Sequence, residues 1–182
     1  MTTDTPSETT AAEPPPAVPA APSDAPPPAA PPAAEQPNTQ LLLLKDKVQR
    51  YLADLVGSVQ LTPDGAFTFQ LGSTRVFVFC QARTPEMTTV KIVAPVLIGC
   101  AASPELFEHI ALHADDYMFG HLSAERAEDA TIAVYFTHLL LGDFLDPDEL
   151  KGAVGRVATT ADEIDDELKT RFGGRRFHDD VA

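Results

Sequence analysis

The chain has 182 residues, a net charge of −14 and 44% hydrophobic residues, which is enough for one domain with an ordinary core and a tail. An acidic surface repels phosphate backbones and anionic lipid heads, so we expect neither nucleic acid nor a membrane surface as the partner. Solubility, or a basic partner, fits the charge better. No apolar run approaches the roughly 20 residues that a spanning helix needs, so membrane insertion is not expected.

The N-terminus has neither the basic nor the apolar region of a secretory signal, so we expect no export. The chain contains two cysteines, Cys80 and Cys100, and both stand beside apolar residues. This usage favours buried, reduced thiols over a disulfide, and it indicates a cytoplasmic protein.

Residues 1–38 differ in composition from the rest, because 12 of the 17 prolines precede residue 38. A Pro- and Ala-rich segment buries too little apolar surface to offset the entropy of ordering, so we predict a disordered tail. Its PPPAVP stretch has the form of a docking peptide for an aromatic groove, but such motifs arise by chance in Pro-rich tracts, and we prefer a spacer. We predict a folded domain over 39–174 and a flexible C-terminus over 175–182.

The folded part begins with apolar residues at helical spacing from Leu41 to Val56, which predicts a helix that Gly57 ends. A β-rich block follows, with turn signals at residues 63–65 and 72–73. Between the turns, AFTFQL alternates in polarity, whereas RVFVFCQA is apolar on both faces and indicates a central strand. TTVKIVAPVLIG predicts another strand, with Pro95 marking an edge, a bulge or the strand's end.

Two further helices have clear starts. Ser103 and Pro104 predict a second helix that runs to a glycine stop at Gly120. A short strand is expected near residues 121–124, and TIAVYFTHLLLG predicts a strong one. Asp146 and Pro147 predict a third helix whose apolar stripe runs from Leu150 to Leu168. Gly152 and Gly155 lie off that stripe, and a close backbone approach is the expected explanation for them.

The third helix carries an acidic run that invites a metal or catalytic interpretation. On a helical wheel these carboxylates face away from the apolar stripe; they are Asp162, Glu163, Asp165, Asp166 and Glu167. Two of them could flank a cation, but an exposed pair offers too few oxygens for Ca²⁺ and too little shelter for acid–base catalysis. We therefore interpret the run as a solvated helix face.

His109 and His113 have the i, i+4 spacing of two zinc ligands, but the glutamate of the HExxH motif is missing because Ile110 takes its place. Ordinary surface and boundary histidines are the preferred interpretation. No nucleotide-binding loop, nucleophile elbow or CxxC motif occurs. The sequence therefore predicts no enzyme, no cofactor and no metal.

The stretches VAPVLIGCAASPELFEHIALHADDYMFGHLSA and VYFTHLLLGDFLDPDELKGAVGRVATTADEIDDELKTRFGG resemble the YbjN family of the type III secretion chaperone-like superfamily. The resemblance covers roughly residues 40–174. It implies an α+β fold in which a curved antiparallel sheet of about five strands is packed by three helices. It also implies peptide-binding chaperones or adaptors, commonly homodimers, without catalytic residues.

We therefore expect a non-catalytic, chaperone-like module that binds a client protein or peptide on an exposed sheet face or on the first helix. The candidate peptide-binding residues are an aromatic cluster in two adjacent strands, namely Phe67, Phe69, Phe77 and Phe79. One alternative is a small metal-dependent regulator or enzyme that uses His109 and His113. Another is a structural subunit of a larger assembly.

Overall fold

The computed structural model describes residues 38–114 and 116–177, so the predicted tail up to residue 37 and residues 178–182 of the predicted C-terminus lie outside the described residues. Within these ranges the chain forms three helices and seven strands. The helices are α1 (Thr39–Val56), α2 (Pro104–Leu112) and α3 (Pro147–Phe172). The strands are β1 (Gln60–Leu61), β2 (Phe67–Leu71), β3 (Thr74–Ala82), β4 (Thr88–Cys100), β5 (His121–Arg126), β6 (Ile132–Leu141) and β7 (Arg175–Arg176).

The predicted α+β class and the three helices are confirmed, but the sheet in the described ranges has seven strands where about five were expected. The two additional strands, β1 and β7, have two residues each. So short a strand shows no alternation that a sequence pattern could reveal. β7 also lies in the segment predicted to be flexible from residue 175 onward.

All strands pair antiparallel in the order β1-β2-β3-β4-β6-β5, and β7 pairs with β4. β3 ends its pairing with β4 at Val93, and β7 joins the same edge of β4 farther along, opposite Leu97 and Ile98. The β4–β6 register shifts between Pro95 and Leu97. Pro95 therefore marks a bulge, as one of the three expected alternatives, because proline lacks the N–H that a regular ladder needs.

One face of the sheet, the covered face, packs against the helices. Phe67 and Phe69 of β2 lie opposite Val78 and Val76 of β3, so their side chains share this face. α1 and α3 contact each other as well as the sheet, which places both helices on the same side. The stripe predicted on α3 is buried there except at Ile164, which is half-buried. Full burial of each large side chain contributes roughly 1.5–3 kcal/mol.

The N-caps predicted for α2 and α3, Ser103 and Asp146, are confirmed. The side chain of Asn38 accepts hydrogen bonds from the first turn of α1, and Ser103 does the same for α2. Asp146 Oδ1 accepts from the Glu149 amide at 2.8 Å at the start of α3. These oxygens satisfy backbone donors that have no partner within the helix.

The predicted end of α2 is wrong, because the helix stops at Leu112 rather than next to Gly120. His113 Nδ1 lies 2.5 Å from Asp116 Oδ2, and this contact closes a turn in place of another helical turn. Tyr117 then packs edge-on against Phe136, with 5.0 Å between ring centroids. The chain thus leaves the helical path early and enters β5.

Two expectations about α3 need correction. Asp165, assigned to the solvated side, is only 7% exposed. Gly152 and Gly155 have no atom within 4 Å of an added Cβ, so no close backbone approach explains them. Asp162 and Asp166 are exposed, as predicted, and each makes a surface contact: Asp162 accepts from the Ser73 hydroxyl, and Asp166 accepts from Arg176.

Cys80 and Cys100 are free and buried, as predicted. Burial raises the pKa of the Cys80 thiol to about 12, even though the nearby Lys45 charge lowers it. Such a thiol stays protonated and is a poor nucleophile. Among the described helices, none has the length and apolar character needed to cross a bilayer.

Candidate peptide-binding face

The second face of the sheet, the open face, is defined by side chains of β3, β4 and β6 that point away from α1 and α3. Phe77 and Phe79 of β3 alternate with the buried Val76 and Val78 and therefore point to this face. Their antiparallel register continues the face across β4 and β6; the aligned side chains are Val93 and Lys91, then Thr137 and Leu139.

A shallow groove of about 270 Å³ runs over the open face. Within the described ranges, the lining residues come from strands and turns and from the residue after β7, and none comes from α1, α2 or α3. Its apolar lining includes Phe77, Phe79, Val93, Pro95, Ile98, Tyr135 and Phe177. The groove is open rather than enclosed, so it can take side chains of a bound chain more readily than a fully engulfed small molecule.

Phe177 completes one wall of this groove. β7 carries the chain back to β4, and the Phe177 ring then meets Phe77 edge to face, with centroids 6.1 Å apart. Gly174 permits the approach, because a Cβ there would lie 2.7 Å from Cys100 Sγ and the residue has a φ of +76°. An edge-to-face aromatic pair contributes about 0.5–1.5 kcal/mol beyond its buried area.

Three charged side chains line the groove, namely Asp64, Lys91 and Glu125. Burial raises the pKa of the Tyr135 phenol, and the nearby Glu125 carboxylate raises it further, so Tyr135 presents a neutral hydroxyl to the groove. Lys91 is half-buried between Phe79 and Leu139. In the part of the chain that the structure describes, its ammonium has no hydrogen bond or ion pair.

The four candidate phenylalanines are divided between the two faces. Phe67 and Phe69 are each 5% exposed and belong to the core beneath the helices. Phe77 and Phe79 are half-buried and line the groove on the open face. The structure therefore brings two of the four residues together at a surface that another molecule can reach.

Of the residues that line the groove, sequence reasoning proposed only Phe77 and Phe79 as binding residues, and it missed Lys91, Tyr135 and Phe177 among others. The alternation of β6 contained a usable signal, because assigning Phe136 to one face assigns Tyr135 to the other. Phe177 carried no such signal, since a two-residue strand positions it.

His109 and His113 lie together at the junction of α2 and α3, with ring centroids 4.4 Å apart. His109 is 8% exposed, and its Nδ1 accepts from the Arg171 guanidinium at 2.9 Å. Burial lowers the pKa of His109, and the Arg171 charge and His113 lower it further. Within residues 38–114 and 116–177, no group of three or more potential metal ligands is found. The arrangement fits a packing contact between helices.

The comparisons with known proteins agree with this architecture. Residues 43–180 match the TY-Chap1 family model, described as T3SS (YopN, CesT) and YbjN peptide-binding chaperone 1. No curated protein matches the sequence significantly. Among solved structures, ExsC in the "Crystal Structure of the ExsC-ExsE Complex" is 19% identical, with a TM-score of 0.53. That match covers 69% of this chain and 96% of the other.

At 19% identity the structural match supports the fold alone, whereas the family model spans well over half of the chain. The resemblance to the YbjN and type III secretion chaperones that the sequence suggested is thereby confirmed. The chain belongs to the TY-Chap1 family of peptide-binding chaperones.

Proposed function

We propose that this protein is a non-catalytic client-binding chaperone or adaptor whose open face holds an extended segment of a client protein. The observation that carries the proposal is the pair Phe77 and Phe79, which line a surface groove that no described helix covers. Aromatic side chains are enriched at protein interfaces, where a few buried anchors carry most of the binding energy.

The shape of the groove favours a peptide over a small metabolite. Alternate residues of an extended peptide repeat about every 6.6 Å, which matches the spacing of side chains along one face of a strand. A client laid along β4 can therefore place successive side chains beside Phe79 and then Phe77. Two groups away from the groove with shifted pKa values, Cys80 and His109, owe the shift first to burial in the packed fold, which supports a role without catalysis.

The test begins with selection of phage-displayed twelve-residue peptides on the full chain, followed by fluorescence anisotropy with the selected peptides. We expect Phe79→Ala to weaken binding at least tenfold, or ~1.4 kcal/mol, because truncation removes an aromatic anchor. The matched control is Leu43→Ala, since Leu43 is an exposed apolar residue of α1. Circular dichroism checks that both variants stay folded.

The α1 surface is the competing location, because a client held on the first helix would not touch the open face. Peptides that lose affinity in Leu43→Ala but not in Phe79→Ala would move the site to α1. Peptides indifferent to both changes would refute binding at either surface.

We also propose that the protein forms a homodimer in the cytoplasm. Support for a dimer comes from apolar side chains that α2 and its following loop leave exposed, including Leu112 at 70% and Met118 at 84%. Support for a cytoplasmic location comes from the two free cysteines. Light scattering on the full chain and on Leu112→Glu tests the dimer: the variant should halve the measured mass, and an already monomeric wild type would refute it.

The domain boundaries remain part of the proposal, with residues 1–38 acting as a spacer outside the client-binding domain. A chain that begins at residue 38, and so keeps the Asn38 cap of α1, should bind the selected peptides as tightly as the full chain. Loss of binding on removal of the tail would make the tail a docking element.

A further inference from the structure

Lys91 is the one basic side chain among the residues that line the groove in the described part of the chain. It stands at the middle of β4, with Phe79 on one neighbouring strand and Leu139 on the other. The residue is half-buried, and its ammonium has no hydrogen bond or ion pair with any described residue. A cation set among apolar side chains without a carboxylate partner is a point where a ligand can supply the missing charge.

The register fixes what lies next to this charge. Along β4 the open-face side chains form successive rows: Lys91 beside Phe79, then Val93 beside Phe77, then Pro95 beside Tyr135. The rows are about 6.6 Å apart, which is the distance between alternate side chains of an extended peptide. A client aligned with β4 therefore meets one charged row and then two apolar rows.

The opposite end of the groove discriminates against a second acid. Glu125 lies there, opposite Ala133 of β6, whereas Lys91 lies opposite Leu139. Six residues along β6 separate these two positions, or roughly 20 Å. The Glu125 carboxylate already acts on Tyr135. Asp64 also lines the groove but makes no ion pair with Lys91 in the described residues. The Lys91 ammonium therefore attracts a client carboxylate at its end of the groove, and Glu125 repels one at the other end.

We propose that the open face selects client segments in which one Asp or Glu pairs with Lys91 and is spaced two and four residues from two apolar side chains. The segment reads acid-x-apolar-x-apolar, or its reverse if the client runs in the opposite direction. This inference rests on the proposed function of the open face, to which it adds the charge and spacing of the client.

A purely structural role for Lys91 makes a different prediction. Its aliphatic stem can cover Phe79 while the ammonium stays in water, and the charge then contributes nothing to binding. Lys91→Met keeps a stem of similar length and removes the charge, so this variant separates the two roles. Lys91→Glu reverses the charge at the same place.

The experiment is a double-mutant cycle between the protein and a phage-selected twelve-residue peptide that requires Phe79. In the peptide, the acidic residue is replaced by its amide. For the wild-type protein we expect this change to weaken binding about fivefold to tenfold, and for Lys91→Met we expect no further loss. Raising the salt concentration should reduce the difference. Selection on Lys91→Glu should replace the acid by Lys or Arg at the same spacing.

The possible failures can be told apart. Some peptides could need Phe79 and yet show less than a twofold coupling between their acidic residue and Lys91. That result would overturn the proposed pairing with Lys91 but leave the open face as the client site. If no selected peptide needs Phe79, the proposed function of the open face is refuted, and the proposed pairing with Lys91 is refuted with it. If Lys91→Glu converts a dimer of the full chain to a monomer, the natural occupant of the open face is a second copy of the chain. The proposed selection of acidic client segments is then overturned.

Discussion

The two faces of the sheet use the same residue types for opposite purposes. Phe69 on the covered face and Phe79 on the open face stand in neighbouring strands, yet one lies in the core and the other lines the groove. The helices make this difference, since α1 and α3 lie over only one face. A phenylalanine in a strand is therefore a core residue or a binding residue according to what covers it, not according to its own chemistry.

The sharpest test of this comparison is the matched pair Phe69→Ala and Phe79→Ala. Phe69→Ala leaves a cavity in the core, so we expect the free energy of unfolding to fall by about 3–5 kcal/mol. Phe79→Ala removes a half-buried ring, so we expect a loss of less than half that amount. Urea denaturation measures both. Equal losses would mean that the open face is as fully packed as the covered one.

Gly174→Ala tests how β7 completes the open face. The added Cβ would lie 2.7 Å from Cys100 Sγ and 2.8 Å from the Ile98 carbonyl oxygen, at a φ of +76°. We expect about 1–3 kcal/mol of destabilisation and faster hydrogen exchange of the Arg176 amide.

Gly173→Ala is the control for that change, because Gly173 also has a positive φ but no atom within 4 Å of an added Cβ. Both variants carry backbone strain, and only Gly174→Ala adds a steric clash. If the two were equally destabilised, the close approach of β7 to β4 would be unimportant.

On the outward side of α3 we expect a substitution to be stabilising. Gly152 lies in the helix interior with open space where a Cβ would stand. Gly152→Ala should raise the free energy of unfolding by ~1 kcal/mol, because alanine loses less backbone entropy in a helix. Thermal and urea unfolding measure the change, and Gly155→Ala should repeat it. If Gly152→Ala and Gly155→Ala were both destabilising, the outward side of α3 would have to make a contact that the added methyl groups disturb.

The smallest expected effect is the loss of stability at acidic pH that comes from His109, at the junction of α2 and α3. The folded-state pKa of His109 is lowered, first by burial and then by Arg171, so the unfolded chain binds more protons as the pH falls through about 6.5. The free energy of unfolding should therefore decline between pH 7 and pH 5. Protonation of His109 also breaks the hydrogen bond between its Nδ1 and Arg171.

His109→Gln should flatten part of this decline. Burial also lowers the pKa of His138, so His138→Gln should remove a separate part in the same direction. An unchanged pH profile in both variants would show that other groups control the acid response.

The sequence predicted the elements that have strong local signals. Caps at Ser103 and Asp146 located two helix starts, and the stripe from Leu150 to Leu168 located the buried side of α3. The sequence-based predictions were wrong where tertiary contacts determine the end of a helix or the burial of a side chain. The contact of Tyr117 with Phe136 accompanies the early end of α2, and the buried Asp165 interrupts an otherwise solvated acidic run.

The candidate site was half predicted for a similar reason. Phe77 and Phe79 stood out as aromatic residues in a strand, but alternation alone could not say which face the helices would cover. Lys91 was not singled out in the sequence, because its neighbours Phe79 and Leu139 come from other strands. Register between strands that are distant in sequence is a long-range property, and local patterns do not encode it.

The position of α3 and β7 along the chain has a consequence for biosynthesis. α3 covers one face, and β7 delivers Phe177 to the other, yet both follow β1 to β6 in sequence. A ribosome must therefore add residues 147–177 before either face is complete. Because domains fold as units during translation, an interrupted product would expose both its unfinished core and its unfinished groove. Cellular quality control would then meet an unfolded chain rather than a partly active chaperone.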